Sequence, residues 1–144
     1  MKPLDTWLNE YATSHQNKTN QRIHKVCVPL ILWACVALIY SIPVPNILNP
    51  VQFNWSNLSI ILILLFYLRL GSKPFVLMLL QFIIILLSLK LFHQHNQPTL
   101  IIAVIVFILA WIGQFIGHKV EGKKPSFFKD LQFLLIGPIW VFIS

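Results

Sequence analysis

Acidic side chains are scarce in this sequence: four Asp and Glu stand against eleven Lys and Arg. Charge of either sign is thin, at 10% of 144 residues, where soluble domains carry about 25%. In its place 57% of residues are hydrophobic and the mean hydropathy is +0.75. No soluble core of this size can hide so much apolar surface. These deficits exclude an ordinary soluble domain and point to a polytopic membrane protein.

Other absences narrow the chemistry. The two cysteines, Cys27 and Cys35, share one apolar run and would lie about 12 Å apart along a helix, too far for a disulfide. They read as small apolar residues. Asp5 and Asp130 are the only aspartates and no G-x-S-x-G occurs, so Ser/His/Asp catalysis has little support. There is no glycine-rich phosphate loop. Basic and aromatic residues are not interleaved as in RNA-binding sheets, so the net charge of +7 does not indicate nucleic acid. The bases flank apolar runs, where lipid headgroups and topology explain them. A polar N-terminal segment precedes the first apolar run, which is the wrong order for a signal peptide. That run is expected to remain as a membrane anchor.

What the sequence has is apolar runs. Four of them, about 26–42, 55–70, 75–92 and 100–117, are near the length of a bilayer span, the first two being short. A fifth, 131–143, is shorter; it reads as a re-entrant or buried helix, interrupted by Gly137-Pro138. Over residues 3–14, Leu4, Trp7, Leu8 and Tyr11 fall on one helical face. That pattern predicts an interfacial helix lying on the bilayer, with Trp7 and Tyr11 as anchors. Asn17 or Thr19 is the expected N-cap of the next helix, and Pro29 is expected near its start. The fold class is thus all-α: a single membrane domain over residues 1–144, with four transmembrane helices, an N-terminal interfacial helix and a short C-terminal apolar helix.

Basic residues orient the chain. Lys2, Lys18, Arg22 and Lys25 precede the first span, Arg69 and Lys73 follow the second, and Lys119, Lys123, Lys124 and Lys129 follow the fourth. With four spans these segments share one side, which the positive-inside rule makes cytoplasmic. His15, His24, His118 and Glu121 then fall at that face, and His93 and His95 at the other. His118 and Glu121 are i, i+3, with Gln114 one turn earlier; Asn20 and His24 are i, i+4. Two helix ends offering nitrogen and oxygen ligands can build a metal site. Imidazole and carboxylate suit Fe, Zn or Mn, and two histidines with one carboxylate form the non-haem Fe(II) oxygenase pattern. Interfacial polarity and a weak surface ion pair are the alternative reading of the same row, and spacing alone does not choose. His93 and His95 read as turn residues. Arg22 and Lys25 read as topology charges or as receivers of a substrate carboxylate.

Two stretches carry a family resemblance. YATSHQNKTNQRIHKVCVP (11–29) and WIGQFIGHKVEGKKPSFFKDLQFLLIGP (111–138) resemble, in order and separation, motifs of the membrane 2-hydroxy fatty acid α-dioxygenases. This family includes the yeast enzyme of phytosphingosine breakdown and was formerly a domain of unknown function. The middle of the chain matches it only in hydropathy. The resemblance implies an Fe(II)-dependent integral membrane enzyme that converts 2-hydroxy fatty acids, with O2, to fatty acids one carbon shorter. It implies His15, His24 and His118 as iron ligands, Glu121 as a fourth ligand or supporting partner, and Asn20 and Gln114 as supporting residues. The expected partners are a fatty acyl substrate, O2 and membrane lipids. The expected setting is the plasma membrane of a bacterium or the endoplasmic reticulum of a eukaryote. The rival readings are a Zn-dependent membrane lipid hydrolase and a non-enzymatic lipid-binding protein.

Overall fold

A computed structural model describes residues 2–51, 53–122 and 127–143, with side chains described for all of these except 49–51 and 127–132. Its elements are α1 (Leu4–Thr13), α2 (Lys18–Tyr40), a short 3-10 helix (Asn46–Val51), α3 (Trp55–Leu70), α4 (Ser72–Gln94), α5 (Thr99–Glu121) and α6 (Phe127–Ile143). No strand occurs among the described residues, as the all-α expectation requires.

The helix boundaries follow from local chemistry. Asn17 is the cap that opens α2: its Oδ1 accepts the N–H groups of Thr19 at 2.8 Å and Asn20 at 3.3 Å. Asn54 opens α3 in the same way, accepting from Ser56 N–H at 2.8 Å. Gly71 alone separates α3 from α4, at φ 135°, a conformation that a residue with a Cβ rarely adopts.

Two expectations are corrected here. Because α2 begins at Lys18, Pro29 lies well inside it rather than near its start, and the Lys25 carbonyl loses its usual i+4 donor. The C-terminal run is also not interrupted, since α6 continues through Gly137-Pro138.

Length decides which helices cross a bilayer. With 23 residues each, α2, α4 and α5 extend about 34 Å, enough for a hydrocarbon core of about 30 Å. With 16 residues, α3 reaches only about 24 Å. Among the described residues three helices therefore meet the length and composition of a span, and the expected count of four is not met on that criterion. Ile61, Ile84 and Leu109 point outward at 57%, 66% and 62% exposure, a surface suited to lipid rather than water.

The chain forms two compact units. One takes Trp33–Ile105, the other Met1–Leu32 with Val106–Ser144. In the first, α3 packs on α4 around Ile60, Tyr67, Met78, Phe82, Ile85 and Leu89. Its indole N–H at Trp33 donates to Ser88 Oγ at 2.8 Å, and Ser88 donates to the Ile85 carbonyl at 2.6 Å. Such pairing is what a polar group needs where no water reaches it. The second unit packs α1 on α6 and buries Tyr11, Val28, Ile31, Ile136, Ile139 and Trp140. Five polar side chains are buried with them: His15, Asn20, His24, Gln114 and His118.

Candidate metal centre

Buried polar groups need partners, and those partners show how this site is assembled. His24 lies on the second turn of α2, 2% exposed, with Nδ1 at 3.0 Å from the Asn20 carbonyl. His15 lies in the linker after α1, 3% exposed, with Nδ1 at 2.6 Å from the Tyr11 carbonyl. Each ring therefore faces the carbonyl four residues before it. A carbonyl only accepts, so Nδ1 carries the proton in both rings and Nε2 carries the lone pair. That is the tautomer metal-binding histidines adopt, with the second nitrogen bonded to a carbonyl.

His118 comes from the last turn of α5, 8% exposed. Its ring centroid is 5.5 Å from that of His24 and 6.2 Å from that of His15. The carboxamide of Gln114, one turn earlier, reaches the His24 ring.

Helix α5 approaches α2 this closely because of glycine. A Cβ at Gly117 would strike Asn20 Oδ1 and crowd the His24 ring, and one at Gly113 would strike Cys27 Sγ. The two glycines are i, i+4, the small-xxx-small spacing that lets membrane helices meet backbone to side chain. Asn20 is fully buried and its Oδ1 accepts no conventional hydrogen bond. It faces the Cα–H of Gly117, a weak donor common between packed helices.

Glu121, at the end of α5, ties the site shut. Its Oε1 accepts Gln16 N–H at 2.9 Å, and its Oε2 accepts Asn17 N–H at 2.9 Å and Asn20 Nδ2–H at 3.1 Å. Asn20 Nδ2 also reaches the Ser14 carbonyl at 3.3 Å. The carboxylate thus holds the α1–α2 linker, and with it His15, against the end of α5.

Three imidazoles in a buried pocket are a donor set that fits Fe, Zn or Mn. Two imidazoles on one tetrahedral ion, at metal–nitrogen distances near 2.0–2.1 Å, place their centroids about 5 Å apart. The His24–His118 pair, at 5.5 Å, meets that spacing, and the His15–His118 pair, at 6.2 Å, is wider than it. The His15–His24 rings are tighter, edge to face at 4.2 Å. Accordingly, no three such side chains among the described residues are arranged to hold an ion as they stand. Donor type, tautomer and burial fit a metal, while the two spacings of His15 depart from it, one short and one long.

The structure thus gathers His15, His24, His118, Asn20 and Gln114, with Glu121 on the linker amides. Arg22 and Lys25 stay outside, both exposed on other faces of α2. Arg22 lines an open groove of about 380 Å³ with Ile23, Val26, Cys27, Gly113 and Ile116. His93 and His95 are exposed, as expected of turn residues. Lys123 and Lys124, counted above as orienting charges, lie outside the described residues, as does the side chain of Lys129.

The whole chain, residues 1–144, matches the family described as Mpo1-like, 2-hydroxy-palmitic acid dioxygenase Mpo1-like. The chain belongs to the Mpo1-like family. It is 29% identical over 140 residues to the 2-hydroxy-palmitic acid dioxygenase MPO1 of Saccharomyces cerevisiae, covering 96% of this chain and 76% of the yeast protein. No solved structure matches. The family resemblance drawn from residues 11–29 and 111–138 is thereby established for the full length.

Sequence reasoning placed Tyr11 at the bilayer surface, but it is 4% exposed and stacks on His15, with ring centroids 4.1 Å apart. Its burial comes from α6, through Phe133 and Trp140, which local periodicity cannot register. Trp140 also lies 5.3 Å from His15 and walls the pocket. The readable signal that went unused was the Gly113/Gly117 pair, which marks the α5 face that meets α2.

Proposed function

We propose that this Mpo1-like protein is an Fe(II)-dependent dioxygenase that shortens 2-hydroxy fatty acids by one carbon. The observation that carries the reading is the buried group of His15, His24 and His118, two of them with Nδ1 committed to a carbonyl. The activity named for the yeast relative, which acts on 2-hydroxy-palmitic acid, supports the substrate class. The reaction RCH(OH)COOH + O2 → RCOOH + CO2 + H2O balances without a further reductant, so no second cofactor is required.

In this reading His15, His24 and His118 hold the ion through Nε2. Bound Fe(II) supplies Lewis acidity toward the hydroxyl and carboxylate of the substrate and electron transfer to O2. The protein does the rest. The Tyr11 and Asn20 carbonyls keep the Nδ1 protons in place. Glu121 holds the linker that carries His15. Trp140 and Tyr11 cover the His15 imidazole and exclude water from it. The acyl tail lies along the apolar helices, and Arg22 or Lys25 meets carboxylates at the headgroup level. The bases around the N-terminus and the end of α5 put the site on the cytoplasmic side.

The test is metal content and turnover together. Purified wild-type protein is expected to retain iron and to convert a 2-hydroxy fatty acid only aerobically. His24→Ala and His118→Ala are expected to lose both. Full iron and full turnover in both variants rules the proposal out. Turnover without O2 in a Zn-loaded protein identifies a hydrolase instead.

A further inference from the structure

His24 and His118 are held by the helices that carry them, but His15 is not. It sits past the end of α1, in the four-residue linker before α2. A ligand on a linker needs something rigid beside it, and the residue in that position is Tyr11. Its carbonyl lies 2.6 Å from His15 Nδ1. Its ring lies flat on the imidazole, with planes within 2° and centroids 4.1 Å apart. The two contacts constrain different things. The carbonyl sets which nitrogen carries the proton, and the stacked ring sets the plane in which the other nitrogen points.

Tyr11 is itself braced. Phe133 meets it edge-on at 5.2 Å and Trp140 at 5.0 Å, both from α6. Gly137 supplies the space: a Cβ there would stand 3.1 Å from the tyrosine hydroxyl and 3.2 Å from Val28. The ring therefore carries the rigidity of α6 to a histidine that no helix holds.

We infer that Tyr11 is the positioning residue of His15, its ring fixing the imidazole plane for metal binding. The inference rests on the metal-site reading above. It assigns a role to α1 and α6, neither of which carries a ligand: they form the mount for the third histidine.

The experiment is a Co(II) titration of the full chain in detergent, followed by the d–d absorption of the bound ion. Tyr11→Phe keeps the ring and the carbonyl, and wild-type affinity and spectrum are expected. Tyr11→Leu removes the stack, and binding is expected to weaken roughly 10- to 100-fold, with shifted bands, as for other residues that orient a ligand. Ile31→Ala, a buried truncation on α2 seven residues beyond His24, controls for packing loss and is expected to bind as wild type. Unchanged affinity and spectrum in Tyr11→Leu overturns the inference. So does an equal loss in Ile31→Ala, or a tenfold loss in Tyr11→Phe, which remains decisive if Tyr11→Leu does not fold. His15→Ala separates the two readings. Wild-type Co(II) binding in that variant overturns the metal site itself. Weak binding there with normal binding in Tyr11→Leu overturns the role of Tyr11 alone.

Discussion

Glu121 has one carboxylate, and its three accepted N–H bonds define what its loss does. Hydrogen bonds to a charged group contribute about 1.5–3 kcal/mol each where they are well shielded, and less at an exposed end such as this. Glu121→Gln places an amide donor against backbone N–H groups that already donate. It is expected to lower stability by about 1–2 kcal/mol, measured by thermal unfolding in detergent. Iron binding is expected to fall far less than in His24→Ala. An equal loss of iron in the two variants would instead make Glu121 a ligand. The same scale explains what could be read in advance. Histidine and glutamate are conspicuous in an apolar chain, so His15, His24, His118 and Glu121 stood out. What a carboxylate touches is set by the linker opposite it, 105 residues away in sequence at Gln16, and local spacing does not reveal that.

The seam between α2 and α5 depends on the absence of two Cβ atoms. Gly117→Ala is expected to cost about 1–3 kcal/mol by overpacking against Asn20 and His24, and to weaken metal binding because His24 is displaced. Gly113→Ala meets Cys27 Sγ instead. Removing that sulfur in Cys27→Ala is expected to restore part of the loss, a coupling of about 0.5–3 kcal/mol in a double-mutant cycle of unfolding. Strict additivity would show that the two helices do not meet there. Hydropathy made the apolar part of every long helix legible, and Asn17 marked a real boundary. The polar first turns of α2 were legible from the cap at Asn17 and not from hydropathy, because Lys18–Lys25 form helix at an interface where hydropathy is low. Pro29 and Pro138 misled because helices in a membrane bundle tolerate an internal proline.

For the whole molecule, α5 is long enough to cross a bilayer, so its two ends belong on opposite faces. A cysteine at Lys119, in a background lacking Cys27 and Cys35, is expected to react with an impermeant maleimide only from the cytoplasmic side. One at Gln97 is expected to react only from the other side. Reversed labelling would contradict the charge-based orientation. Composition alone carried the membrane assignment. The central claim joins metal, O2 and substrate at one site. Its most direct measurement is O2 uptake and product formation by the iron-loaded protein supplied with 2-hydroxy-palmitic acid. The account predicts one O2 consumed per acid shortened by one carbon, with both lost in His118→Ala. Shortened product without O2 uptake, or undiminished uptake in His118→Ala, would contradict it.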